Sequence, residues 1–482
     1  MLVCVAGYFA LLLGIAWRTA RHAGSDAFYS GGRNSPWPIV AFGMIGTSLS
    51  GVTFVSVPGT VGIEQFGYLQ LVIGQALGYL VIAWALLPLY HRLGLTSIYG
   101  VLAQRLGPRS HRTGVAFFIA ARTLGATARL YLVIVVLRWL LLDALGVPFW
   151  LTAAAILALI LVVTIEGGVH TIVYTDLLQT AAMLLGLFVC TALLLQQLGL
   201  DPLAGWRAMR HAGLARLWVL EPRAPDYAVK QLLAGVFIAI AMTGMDQEMM
   251  QKSLSVRRLA DAQKNMLLLG VVLLAVVAVF LYLGGLLTLV APEVGVTARG
   301  DRLFPAIVQA ALPPPVQLLF VVALVSALFP SADGALTALT SIACIDLLGL
   351  PQRADLDEAA RKRMRRRVHL GFAALFMVLV LGFKALDDPS MIALVLKLAG
   401  YTYGPLLGLY AYAMLGRRRV ADRWTPAVAV AAPLLCWIVD SQQARWLGGW
   451  HIGLELLPLD GALTYAGLWL LSRPAAPPSM KS

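Results

Sequence analysis

Three aspartates, Asp176, Asp246 and Asp333, and two arginines, Arg122 and Arg129, fall inside long apolar stretches of this 482-residue chain. A carboxylate at membrane depth costs about 2.5–3.5 kcal/mol on insertion scales, so each needs a cation, a proton or an arginine beside it. Two carboxylates brought together bind a cation strongly or share one proton, because both cannot stay ionised. Arg122 and Arg129 are seven residues apart and share a helical face. They are placed to grip a solute carboxylate through paired hydrogen bonds, or to pair with Asp176, Asp246 or Asp333. Enzyme chemistry lacks its parts. His22, His91, His111, His170, His211, His369 and His451 are dispersed, and there is no HExxH, no GxSxG and no phosphate-binding loop. Cys4, Cys190, Cys344 and Cys436 are scattered through apolar segments and suggest packing, with no disulfide framework or CxxC metal site.

The elements that hold these groups are membrane helices. The chain is 60% hydrophobic and 13% charged, where a soluble protein carries about 25% charged residues. Apolar stretches near 20 residues, the length that crosses a hydrocarbon core about 30 Å thick, recur throughout. They predict about thirteen spans: 2–17, 37–60, 66–90, 113–142, 148–165, 172–199, 231–250, 265–291, 316–348, 368–383, 390–415, 424–441 and 452–472. Met1 leads straight into apolar sequence without a basic region or a cleavage site, so residues 2–17 read as a span, not a signal peptide. The net charge of +13 sits in short loops and not on one basic face, which argues against nucleic acid. Alternate loops hold 24 Lys and Arg on one side, Lys252 among them, against nine on the other. The positive-inside rule then puts the N-terminus in the periplasm and the C-terminus in the cytoplasm. The run RKRMRRR, Arg361–Arg367, fits an orienting contact with anionic headgroups.

Two spans carry residues that an ordinary buried helix avoids. The second contains GMIGTSLSG, Gly43–Gly51, and the seventh AMTGMDQ, Ala241–Gln247. Glycine and serine weaken helix propagation, and broken backbone at membrane depth survives only where protein buries it or it lines a wet cavity. These spans open two consecutive groups of five, which is the sequence pattern of a transporter binding site.

At these residues the chain resembles the sodium/solute symporter family, which takes up sugars, amino acids, vitamins, monocarboxylates or sialic acid on the leucine-transporter fold. The resemblance runs over DAFYSGGRNSPW (Asp26–Trp37), GTSLSGVTF (Gly46–Phe54), YTDLLQT (Tyr174–Thr180), DQEMMQKSLS (Asp246–Ser255), SADGALTALTSIACID (Ser331–Asp346) and GPLLGLY (Gly404–Tyr410). It implies an all-α polytopic fold with a 5+5 inverted repeat in one transporter domain. Residues 1–36 would be the first span and a cytoplasmic loop, 37–199 the first repeat, 231–415 the second, and 424–482 two accessory spans with a short tail.

The resemblance also implies sites. A sodium ion would take backbone carbonyls of Gly46, Leu49 and Ala327, with hydroxyl positions falling on Pro330 and Ser331. Only Ser331 supplies a hydroxyl, which leaves one ligand fewer for a hard cation. Pro330 also frees the carbonyl of Ser326 and is expected to bend the span. A second ion site in some members maps to Asp176, Asp333 and Gly334. There Asp176 and Asp333 would bind sodium or share a proton, unless Asp333 pairs with an arginine. Solute contacts map to Ser48, Ser50 and Thr53, with Asp246 and Gln247 as further polar candidates and Gly78 giving room. The expected activity is symport of a small organic solute into the cytoplasm across the inner membrane, driven by Na+ or alternatively H+. A non-coupled sensor is the second alternative. No organic cofactor, nucleic acid or obligate protein partner is expected beside the solute and the bilayer.

Overall fold

In a bilayer every backbone N–H and C=O must be satisfied within the chain, so apolar segments of this length form helices. The computed structural model of the chain describes residues 2–20, 36–94, 97–353, 355–386, 391–448 and 450–473. The motif Asp26–Trp37, except its last two residues, lies outside them, as do Arg21, Arg33 and Lys481. The elements run α1 (Leu2–Ala20), α2 (Trp37–Ser48), α3 (Gly51–Glu64), α4 (Tyr68–Leu93), α5 (Gly100–Arg105), α6 (Pro108–Leu142), α7 (Phe149–Gln197) and α8 (Pro202–His211). They continue as α9 (Ala228–Gly244), α10 (Gln247–Ser253), α11 (Leu259–Val290), α12 (Leu303–Ala311), α13 (Pro314–Leu347), α14 (Glu358–Leu386), α15 (Met391–Leu415), α16 (Thr425–Trp446) and α17 (Leu456–Leu470).

Both predicted breaks are present. Helices α2 and α3 meet at 55° across Leu49 and Ser50, and α9 and α10 meet at 72° across Met245 and Asp246. Among the described residues, eight helices are long and apolar enough to cross a membrane, and the two bent pairs raise that to ten. Shorter apolar stretches lie at Ala6–Ile15 and Phe149–Ile165, and α17 has only 15 residues. Length and composition therefore support ten crossings directly, against the thirteen expected. One boundary differs from expectation. Residues 166–171 were expected to separate two spans, but the backbone of α7 is helical across them. Glycine lowers helix propensity by only about 1 kcal/mol per residue, which neighbouring turns can override. Helix α13 also continues through Pro330.

Helix α13 is the most buried span, packed along α7, α6 and α14. Helix α9 lies against α4, and α15 against α6 and α17. Outward faces carry the exposed side chains of Trp84, Trp150, Val162, Phe188, Val271, Val378 and Trp437. A surface of that kind is stable against lipid and unstable in water.

Candidate functional site

The break in span 7 frees carbonyls that two tyrosines satisfy. Tyr90 of α4 donates its hydroxyl to the Gly244 carbonyl at 2.9 Å, and Tyr99 donates to the Met245 carbonyl at 2.7 Å. Asp246 then caps α10, its Oδ1 accepting from the Met249 N–H at 3.1 Å. Gln247 points toward the turn before α5, where its Oε1 accepts from the Ile98 N–H at 3.0 Å.

Helix α10 brings its polar face onto a buried ionic network. The Lys252 ammonium lies 2.7 Å from Asp176 Oδ2, 2.6 Å from the Thr47 hydroxyl and 2.9 Å from Glu248 Oε1. The Thr47 hydroxyl has Asp176 Oδ2 at 3.2 Å and the Gly43 carbonyl at 3.1 Å for its single proton. Glu248 continues the chain to Arg122, which pairs with Glu248 Oε2 and lies 3.4 Å from Asp246 Oδ2. Asp176, Asp246 and Asp333 are 0% exposed and Lys252 is 1% exposed. Buried charges of this kind require partners, and Gly334 of α13 makes room for one of them: a Cβ there would run into the Glu248 carboxylate. Gly46 is similarly confined by the Thr180 hydroxyl of α7.

Asp333 stands apart from the ion pairs. Its Oδ1 accepts from the Gly334 N–H at 2.6 Å, and its Oδ2 is buried without a hydrogen-bond partner. Asp176 Oδ1 is likewise unpartnered. The alternative in which Asp333 pairs with an arginine is not seen among the described residues, and Asp176 is held by Lys252. Of the other expected ion ligands, Ser331 donates to the Leu328 carbonyl at 2.8 Å and keeps lone pairs free. Leu49 lies in the break, and Ala327 is buried on α13 beside Leu328, which faces Gly51.

A cavity of about 140 Å³ opens between the two breaks. Ser48, Ser50 and Thr53 line it, with Tyr68, Gln75, Tyr79 and Thr243 across from them. Arg122 and Arg129 also reach it. Arg122 is engaged by Asp246 and Glu248, whereas Arg129 makes no hydrogen bond or ion pair among the described residues. Three expected solute residues are not on this wall. Asp246 and Gln247 are turned away by the capping and Ile98 bonds, and Gly78 is a helix crossing point where a Cβ would strike Val236 and Ala239 of α9.

Sequence reasoning missed Thr47, Glu248 and Lys252. Lys252 was assigned to a cytoplasmic loop, yet α10 runs to Ser253 and buries all of its residues. The signal was available: Glu248 and Lys252 stand at i and i+4, the spacing of a helical ion pair, directly after a break.

Two helices broken within their apolar length, with a polar cavity between them and buried charge beside it, are the arrangement expected of a secondary transporter. Residues 28–419 match the Sodium:solute symporter family, and the chain belongs to that family. It is 22% identical over 486 residues to the sodium/sialic acid symporter NanT of Aliivibrio fischeri, covering 94% of this chain and 90% of that one. It is 24% identical over 279 residues to the human sodium/iodide cotransporter, covering 58% of this chain and 42% of that relative's length. The fold is that of a substrate-bound, outward-open Na+-coupled sialic acid symporter, with a TM-score of 0.82, 16% identity and 97% and 98% of the two chains covered.

Proposed function

We propose that this protein is a sodium-coupled symporter of the inner membrane that carries a small organic anion into the cytoplasm. The observation that carries the anion reading is Arg129. A guanidinium in a cavity between broken helices, with no carboxylate of its own, is a recognition group awaiting a charge. The hydroxyls of Ser48, Ser50 and Thr53 stand ready for the rest of the solute. A relative and a structural neighbour that both take sialic acid support an organic acid as cargo. The N-terminus faces the periplasm and the C-terminus the cytoplasm, in keeping with the loop charges.

Sodium is the coupling ion in this reading, on the strength of the family. Gly46, Leu49, Ala327 and Ser331 would hold it, and the lone pairs left on Ser331 fit that role. The test is uptake by proteoliposomes with an imposed sodium gradient, using a panel of radiolabelled carboxylates and neutral polyols. Sodium-driven accumulation of one or more carboxylates is expected. Accumulation of neutral solutes alone defeats the anion reading, and accumulation driven only by a pH gradient defeats the sodium reading.

A further inference from the structure

We infer that the Lys252 ammonium is the resident cation of the Asp176 site, so that the protein binds one exchangeable coupling ion and not two. The inference rests on the sodium-coupling reading above and adds an ion count to it.

The geometry is that of an occupied cation site. An ammonium has three N–H donors and no acceptor, and Lys252 aims one at each of Asp176 Oδ2, Thr47 Oγ1 and Glu248 Oε1, at 2.6–2.9 Å. Those are the distances of charge-assisted hydrogen bonds. The donor set, two carboxylates and a hydroxyl, is also what a hard monovalent cation selects. Both claimants want the same oxygens at the same place. A sodium ion on Asp176 Oδ2 would face a like charge within a few ångströms, in surroundings that screen poorly.

The elements agree with that assignment. Thr47 is in the last turn of α2 before its break, Asp176 is on α7, and Lys252 and Glu248 are on α10 beyond the other break. The ammonium therefore ties both broken spans to the span between them, as a bound ion would. The difference is the tether. A diffusible ion leaves with each turnover, whereas Lys252 travels only as far as α10 carries it.

The count follows from that occupancy. With Lys252 on Asp176 Oδ2, Thr47 Oγ1 and Glu248 Oε1, and Arg122 between Glu248 and Asp246, those three carboxylates have their cations within the chain. One exchangeable ion is then left to the site beside Ser331, and none to Asp176.

Equilibrium binding of radioactive sodium to purified protein in detergent tests this without requiring transport. Wild type should bind one sodium per molecule. Lys252→Met, which frees Asp176 Oδ2, should bind two, and the double variant Asp176→Asn with Lys252→Met should return to one. Two sodium ions on the wild type, or an unchanged number in folded Lys252→Met, overturns the inference. If Lys252→Met does not fold, the wild-type number decides. A failure of solute uptake would strike the symport reading and leave these binding numbers to stand or fall on their own.

Discussion

Single residues decide what enters the cavity. Arg129 lines the cavity and makes no ion pair among the described residues, and its planar fork matches a carboxylate in a way a lysine ammonium does not. Arg129→Lys should raise the KM for solute uptake by about tenfold or more, the equivalent of ~1.5–3 kcal/mol for a hydrogen bond to a charged group. The sodium dependence should stay as it is. An unchanged KM would mean the solute does not meet Arg129. Gly334 is the second test at this scale, because the Glu248 carboxylate occupies the space a side chain would need. Gly334→Ser should destabilise the protein by about 1–3 kcal/mol through overpacking, read as a lower unfolding temperature in detergent. Retention of the wild-type temperature would show that Glu248 can swing clear of α13. The carboxylates and arginines were legible in the sequence because ionisable residues in apolar runs stand out. Lys252 was not, because a charge two residues past an apolar run reads as a loop until the helix boundary is known, and Glu248, inside the expected span 231–250, shows its role only once Lys252 is placed beside it.

At the scale of elements, the break in span 7 is built by groups outside it. Helix α9 ends with carbonyls at Gly244 and Met245 that no helical N–H reaches, and Tyr90 and Tyr99 supply hydroxyls to them. Removing one donor leaves a buried carbonyl unsatisfied, at a cost of about 1–3 kcal/mol. Tyr99→Phe should therefore lower the unfolding temperature and slow turnover, since the break it supports joins α9 to α10. Tyr90→Phe should do the same, and because the two carbonyls are adjacent the pair should couple non-additively. Strict additivity would show that water replaces the hydroxyls. Glycine, serine and aspartate marked both breaks in the sequence, since each disfavours helix for a local reason. The tyrosines were invisible there: they lie some 145 residues or more away in the chain, and only the fold brings them to the break. Helix α7 errs the other way, its glycines suggesting a gap that the backbone does not contain.

For the whole molecule the testable quantity is orientation. The burial of Lys252 removes one residue from the basic side, leaving 23 Lys and Arg against nine, a margin that still favours the same topology. The sharpest comparison lies across α13. Arg302 ends a short turn before α12, and Arg367 lies in the first turns of α14. Between them α12 has nine residues, about 14 Å at 1.5 Å per residue, too short to cross a core about 30 Å thick. Helix α13, as a span of 34 residues, is the one element between them long enough to do so. Arg302 and Arg367 are therefore expected on opposite faces, and in the proposed topology the run Arg361–Arg367 is on the cytoplasmic one. An alkaline phosphatase fusion after Arg302 should be active and one after Arg367 inactive, with fluorescent-protein fusions giving the reverse pattern. Matching signals at the two positions would mean that α13 does not cross. Opposite signals in the reversed order would keep the helix assignment and overturn the direction of transport, since the cavity would then load from the other side.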